Sequence, residues 1–314
     1  MRGGTRTALE TCSPADPRRM NIKVRLTILA VALAALVIAP AAAATGTTYD
    51  PAYKSAARPT PAACKSVDTT HDGRWQPRPT TAPWQWQLQG KIDTGVPACV
   101  YDVDDFETSK ATVAKLHSEG AKVICYVDVG SWEEYRPDAG QFPKSSLGER
   151  YEGWPEERWL DIAHFHKFAP IMEARIEQCA EKGFDAVEPD NIAGFENKTG
   201  FPLTPADQLR YNLWIARQVH QRGMAVALKN DPGQAKELVG HFDFAIVEEC
   251  FQYHECGLFK PFIEADKAVY EAEYELPPKK FCAKAKALDF SAVRKGLELF
   301  DKPWKPCGSL ASEG

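Results

Sequence analysis

The chain has 314 residues, 38 basic against 43 acidic side chains, a formal charge of −5 and 44% hydrophobic residues. That balance excludes a nucleic-acid-coating protein and a disordered acidic chain, and the length suits one large domain as well as two small ones. At the N-terminus, Lys23 and Arg25 precede the apolar run Leu26 to Ile38, which ends in Ala41-Ala42-Ala43-Ala44. The run is shorter than the ~20 residues of a membrane span, so residues 1–44 read as a cleaved secretory signal. The stretch before Met20 is unlike a signal n-region, which suggests a translation start at Met20.

Without residues 1–44 the chain keeps 32 basic and 41 acidic side chains, a balance of −9. Such a field favours cationic partners and disfavours nucleic acid and anionic lipid. Eight cysteines remain after Cys12, an even number in an exported chain, which predicts structural disulfides. Cys250 and Cys256 can bracket one loop, and Cys64 with Cys307 could tie the two ends together. No CxxC pair occurs, so a structural zinc site has no support.

From Thr45 to Pro83 the chain is rich in Pro, Ala and Thr and reads as a linker or surface-wrapping segment. After it, short apolar runs alternate with amphipathic stretches, the rhythm of parallel βα units. Strands are predicted at Trp84–Leu88, Cys99–Val103, Lys122–Val129, Trp159–Ile162, Phe184–Glu188, Met224–Leu228, Phe242–Val247 and Lys267–Glu271. Helices are predicted near Thr108–Ser118, Lys167–Lys182, Thr204–Arg222, Gly233–Val239, Gly257–Ala265 and beyond Pro277. In the third of these, Thr204 caps, Pro205 suits the first helical position and Asp207 completes a capping-box pair. Eight strands with helices in this length predict a single-domain (β/α)8 TIM barrel over residues 84–307, followed by a tail from 308 to 314. The competing doubly wound sheet calls for a glycine-rich phosphate loop after an early strand, and none is visible.

In a barrel the C-terminal strand ends converge on one mouth. Here they carry Asp102, Asp104, Asp128, Asp161, Glu188, Asp190, Lys229, Asn230, Glu248, Glu249, Glu271 and Glu273, a ring of carboxylates with one lysine. Helix capping accounts for some of these, but two acids facing each other across a mouth can divide into a general acid and a base or nucleophile. Trp84 and Trp86 alternate along the first strand, and Tyr126, Trp132, Trp154, Phe251 and Tyr253 lie at or just after other strand ends. Aromatic faces of this kind pack against pyranose rings as readily as they fill a core. In Val187 to Asn191, Glu188 and Asp190 share strand parity. In Val247 to Cys256, Glu248 and Glu249 have opposite parity, and periodicity alone does not choose between them.

The strings WQWQL, YDVDDF, VICYVDVG, WLDI, VEPDN, LKND, EECFQY and EAEY, in this order between Trp84 and Tyr274, resemble glycoside hydrolase family 114, whose members resemble endo-α-1,4-polygalactosaminidases. The resemblance implies a (β/α)8 barrel, no cofactor, and catalytic acids at Asp190 and Glu248. It implies substrate-binding roles for Trp86, Tyr126, Asp128, Asp161, Asn191, Lys229, Asn230, Tyr253 and Glu273. The tandem Glu248-Glu249 departs from the family's pattern. The implied partner is a cationic, partly deacetylated amino-sugar polysaccharide met by a secreted, monomeric enzyme.

Two other readings compete. His164 and His166 follow a predicted strand at i, i+2 and could ligate zinc in a metal-dependent deacetylase or hydrolase. A non-catalytic carbohydrate-binding barrel would keep the aromatics and need no matched acids. Serine or cysteine nucleophiles have no support, since no GxSxG elbow occurs. Asn197-Lys198-Thr199 is a glycosylation sequon on a predicted loop.

Overall fold

The structure is a computed structural model that describes Cys64 and residues 68–308. The signal predicted over 1–44 lies outside the described residues, as does the tail from residue 309. Eight parallel strands build the barrel: β1 (Trp84–Gln87), β2 (Val100–Asp104), β3 (Lys122–Asp128), β4 (Ala186–Asp190), β5 (Ala225–Lys229), β6 (Phe244–Glu248), β7 (Val269–Glu273) and β8 (Ser291–Arg294). They neighbour one another in chain order, and a short antiparallel strand, Lys305–Pro306, lies beside β8. Helices α1 (Lys110–Ser118), α2 (Ala169–Lys182), α3 (Pro205–Gln221), α4 (Ala235–Leu238), α5 (Lys260–Glu264) and α6 (Pro278–Ala287) occupy six of the connections. The architecture is a nearly closed (β/α)8 barrel in which a loop replaces the helix between β1 and β2.

Local chemistry sets the helix starts. Ser109 caps α1 by accepting from Thr112 N. Thr204 and Asp207 form the reciprocal capping box that opens α3 with Pro205 in its first turn. Gly183 ends α2 in the left-handed region, φ 88°.

Two expectations are corrected. The predicted strand Trp159–Ile162 is not in the barrel: Trp154–Leu160 pairs antiparallel with Ser131–Glu133 and Leu147–Tyr151 in a separate three-stranded sheet inserted between β3 and α2. Its place in the count is taken by β8, a four-residue strand in the stretch read as helical beyond Pro277. The run Ser291–Arg294 is too short to announce itself, and only its pairing with β7 defines it. Cys64 bonds Cys99 rather than Cys307, which bonds Cys282, because Cys307 N donates to Ala292 O and so holds the tail beside β8. Cys250 and Cys256 pair as expected, and Cys125–Cys179 ties β3 to α2.

Side chains of alternate parity divide between two clusters. Tyr101, Val103, Val123, Val127, Val187, Val226, Val247 and Val269 face the helices. Trp84, Trp86, Val100, Ile124, Ala186, Ala225, Ala227, Phe244, Ile246, Tyr270 and Ala272 fill the interior. The alanines of β4, β5 and β7 leave the space that the indoles of β1 occupy, with Trp84 and Trp86 stacked at 5.6 Å. At the opposite end from the mouth, Trp75 packs 5.3 Å from Phe244 and Pro77 O accepts from Ala268 N, so the described part of the segment before β1 lies against the starts of β6 and β7.

The β8–β1 seam is closed by the segment after β8. Lys295 Nζ donates to Gln85 Oε1 at 3.0 Å and Phe300 O at 2.8 Å, and Trp304 Nε1 donates to Trp84 O at 2.8 Å. Burial pushes the Lys295 ammonium down to about 7. An unfolded lysine titrates near ~10.4, so between about pH 7 and that value the unfolded chain holds the extra proton and stability rises with pH. We expect thermal unfolding to show this rise and Lys295→Met to flatten it. The contribution at stake is a few kcal/mol at ~1.4 kcal/mol per pH unit.

Candidate active site

The mouth is organised by Lys229, the last residue of β5. Its Nζ lies 2.9 Å from Asp190 Oδ1, 3.0 Å from Glu188 Oε1 and 3.2 Å from Glu248 Oε2, and 4.7 Å above the Trp86 ring. Desolvation alone would strip the proton from this buried amine, but three anions raise it well above the ordinary lysine range. Lys229 is therefore a fixed ammonium.

Asp190 ends β4. Besides Lys229 it accepts from Tyr126 OH at 2.9 Å and from Asn191 N at 2.8 Å. Burial opposes its charge, yet Lys229 and these hydrogen bonds prevail and hold the carboxyl below its usual range. Glu248 ends β6, accepts from Asn230 Nδ2 at 3.0 Å, and accepts from the Tyr274 hydroxyl. Burial and the Glu248 charge keep the Tyr274 phenol protonated, so it is a permanent donor. Asn230 works twice, because its Oδ1 also accepts from Glu248 N at 2.9 Å.

Three neighbouring strands end in the same way. Asn191, Asn230 and Glu249, the residues after β4, β5 and β6, have φ of 61°, 50° and 51°. The left-handed residue turns the chain away at once and leaves the preceding side chain pointing into the mouth. Asparagine tolerates this region, whereas Glu249 is held there at a strain on the order of 1–3 kcal/mol. Gly130 serves the same end of the barrel: a Cβ on it would lie 1.8 Å from Asn191 O, so only glycine lets the loop after β3 pass.

The predicted residues fall into groups. Asp190, Glu248, Lys229, Asn230, Tyr126 and Trp86 meet at one point, although Trp86 lies fully buried under the ammonium and presents no face to a ligand. Asp128 and Asn191 stand beside them, with Asn191 Nδ2 donating to Asp128 Oδ2 at 2.8 Å. Burial, Glu133 and Asp190 push Asp128 up to about 7. Tyr253 is exposed on the turn after β6. Asp161 lies beyond the inserted sheet, where it accepts from His164 Nδ1 at 2.9 Å and faces Lys167 at 3.5 Å. Neither bond leads to Asp190 or Glu248. Glu273 has the parity of Val269, which faces the helices, and accepts from Phe251 N and Gln252 N at 2.8 and 3.2 Å. It braces the loop after β6 from outside, and Glu249 joins it there, raised to about 7 by burial and then by the charges of Glu248, Glu273 and Glu275.

Two residues outside the predicted site set join it. Tyr274 has the inward parity of Tyr270 and Ala272, a signal that lay in the strand alternation once β7 is extended to it. Tyr151, on the inserted sheet, senses Asp190 and Glu248 strongly enough that, after burial, their charges raise its phenol further. Its ring lies 4.5 Å from Trp159. No strand-end rule could have placed it, because it arrives on a long insertion.

The inserted sheet also carries acids. Asp128, Glu133 and Glu157 bring oxygens within 4.8 Å of one another. These have protein partners: Ser131 Oγ bridges Asp128 and Glu157, and Arg136 donates to Glu133 Oε2 at 2.8 Å. Arg136 also forms a bidentate pair with Asp104 at 2.9 and 2.6 Å. His164 and His166 sit on the 3-10 turn Ile162–Lys167 rather than on a strand face, and His164 is committed to Asp161, so the i, i+2 zinc geometry is not formed.

Fold and mouth define the chain as a glycoside hydrolase. It belongs to the glycoside-hydrolase family GH114, whose model matches residues 65–311. The crystal structure of Aspergillus fumigatus Ega3 in complex with galactosamine superposes with a TM-score of 0.69 at 34% identity, over 74% of this chain and 97% of that one. The glycoside hydrolase domain of PelA from Pseudomonas aeruginosa shares the fold at 13% identity, with a TM-score of 0.59 over 73% of this chain and 99% of that one. Among curated proteins no sequence matches the chain.

If Lys229 sets the charge of Asp190, replacing it must show in the titration of that carboxyl. We expect a 13C carboxyl NMR titration to place the Asp190 midpoint below the ordinary aspartate range and Lys229→Met to raise it by at least about one unit.

Proposed function

We propose that the protein is a secreted endo-hydrolase of α-1,4-linked galactosamine polymers, with Asp190 as nucleophile and Glu248 as general acid and base. The carrying observation is that one ammonium touches both acids, at 2.9 Å and 3.2 Å. Their nearest oxygens are thus no farther apart than the sum of those distances, which favours the close carboxyl spacing of retaining pairs, ~5–5.5 Å, over the ~6.5–9.5 Å of inverting ones. Asp190, kept ionised by three donors, suits attack on the anomeric carbon. Glu248 is then the group that gives its proton to the leaving oxygen and retrieves one from water in the second step.

The substrate class is supported by the galactosamine in the Ega3 structure and by charge. Glu188, Asp190 and Glu248 share a single lysine, and a polymer carrying ammonium groups completes that balance. Tyr151 lies near both acids, and Trp154, its exposed partner on the inserted sheet, offers a ring face for pyranose stacking. Four disulfides support an oxidising destination, and among the described residues no helix is long and apolar enough to cross a membrane. A monomeric enzyme without affinity for nucleic acid fits the acidic field.

Asp190→Asn and Glu248→Gln are expected to fold and to lose about 10³-fold or more of the hydrolysis of an α-1,4-galactosamine oligomer. Proton NMR of the first product should show the α anomer, as retention requires. Near-normal hydrolysis by either variant would remove the assignment, and only a parent that cleaves no such oligomer would leave the carbohydrate-binding reading. Cleavage should weaken on full N-acetylation and with rising salt, read as an increase in KM.

A further inference from the structure

Beneath Lys229 the barrel holds two carboxyls that the mechanism above does not use. Asp102 on β2 and Glu188 on β4 are both fully buried. Strand register places Asp102 beside Trp86 and Ile124, one inward-facing layer below Glu188, which lies level with Tyr126. Apart from the Lys229 ammonium, no protein N–H or hydroxyl donates to either oxygen of Asp102 or of Glu188. Glu188 Oε1 has Lys229 Nζ 3.0 Å away, and the Glu188 charge bears on the Asp102 carboxyl from the adjoining layer. Two oxygens of carboxyl groups can bond only if one carries a hydrogen.

We propose that Asp102 and Glu188 share one proton and act as a positioning pair: neutral Asp102 donates to the Glu188 carboxylate, which anchors Lys229 from below and so fixes the height at which it bridges Asp190 and Glu248. This rests on the site reading given above. Two ionised carboxylates in contact inside a dry barrel would repel without compensation, and a single proton turns that repulsion into a bond. Burial and the charge of Glu188 push Asp102 well above its usual range. Burial pushes Glu188 up to about 7, with Lys229 and the bond from Asp102 acting against it. The groups facing the pair are Lys229 on β5, Asp190 on β4, and Tyr274 after β7, which also senses Glu188. Glu248 on β6 is coupled to them through Lys229. An ammonium with contacts only at the rim could tilt outward with the chain of β5. The third contact, below the other two, prevents it.

The pair makes distinct demands on each member, and the pH–rate bell of the full-length enzyme reads them. Glu188→Gln deletes one negative charge beside Asp190, which makes that carboxyl easier to ionise. The acid limb of its bell should move to lower pH by about one unit, with kcat down on the order of 10–100-fold and KM little changed. Asp102→Asn replaces a neutral donor by a neutral donor. It should leave the bell in place and recover about ten-fold or more of the kcat that Asp102→Leu loses. At neutral pH the infrared spectrum of the parent should contain a carboxylic-acid carbonyl band that Asp102→Asn lacks. The positions of the bell and of the band are read on whatever fraction is folded, so partial destabilisation does not obscure them.

A bell unmoved in Glu188→Gln, a bell in Asp102→Asn displaced in step with it, or no lost carbonyl band would each overturn the proposal. Retained hydrolysis in Asp190→Asn or Glu248→Gln would instead overturn the site reading on which it rests. The two failures are therefore separable.

Discussion

The site depends on keeping one lysine charged inside a barrel. Lys229 loses almost all its hydration, and such a group would ordinarily surrender its proton. It keeps it because β4, β5 and β6 run parallel and adjacent, which brings Glu188, Asp190 and Glu248 to one ammonium. Neighbouring strand ends in a barrel are separated by about 5 Å, close to the reach of one Nζ between two side chains. The Trp86 ring under the ammonium adds a cation–π contact and closes the floor to water. The indole has room there because the interior positions of β4 and β5 level with it, Ala186 and Ala225, are alanines.

Much of this was legible in the sequence because it depends on alternation and on strand ends. The βα rhythm gave seven of the eight barrel strands, and the strings around Asp190, Lys229 and Glu248 marked acids and a lysine that meet in the structure. Parity also separates Glu248 from Glu249 once Phe244 and Ile246 are seen to face inward. What escaped was non-local. The strand Ser291–Arg294 is defined by its neighbour β7 and not by its own four residues. Trp159 and Leu160 form a strand, but their partners are Ser131 and Leu147, which no local pattern reveals. Glu273 was placed in the mouth because acidic strand ends were read as a ring. The inward face of β7 belongs to Tyr270 and Ala272, and continues to Tyr274.

The inserted sheet shows how a rigid barrel acquires a particular mouth. Its residues leave β3 just after Asp128, whose carboxylate accepts from Gly130 N at 3.1 Å and Ser131 N at 2.7 Å, so the departure is pinned by a side chain of the mouth itself. Arg175 on α2 donates to Asp128 O at 2.8 Å and to Asp138, tying the insertion to the barrel wall. Tyr151 is thereby held near two acids that lie far from it in sequence. Such loops carry function because the scaffold fixes their ends while leaving their tips free to vary.

Depth alone does not decide which acids in this mouth are charged. Asp128 and Asp190 are paired in register on β3 and β4, at the same height in the barrel. Burial raises both, yet Asp190 ends below the ordinary aspartate range and Asp128 at about 7. The difference lies in their neighbours: Asp190 has the Lys229 ammonium, whereas Asp128 faces the carboxylates of Glu133 and Asp190. Both accept several hydrogen bonds, so donor count does not separate them either. The sign of the nearest charge does. A barrel supplies many equivalent strand ends, and the single lysine on β5 breaks that equivalence, making Asp190 the rim acid whose charge is secured from below and from the side.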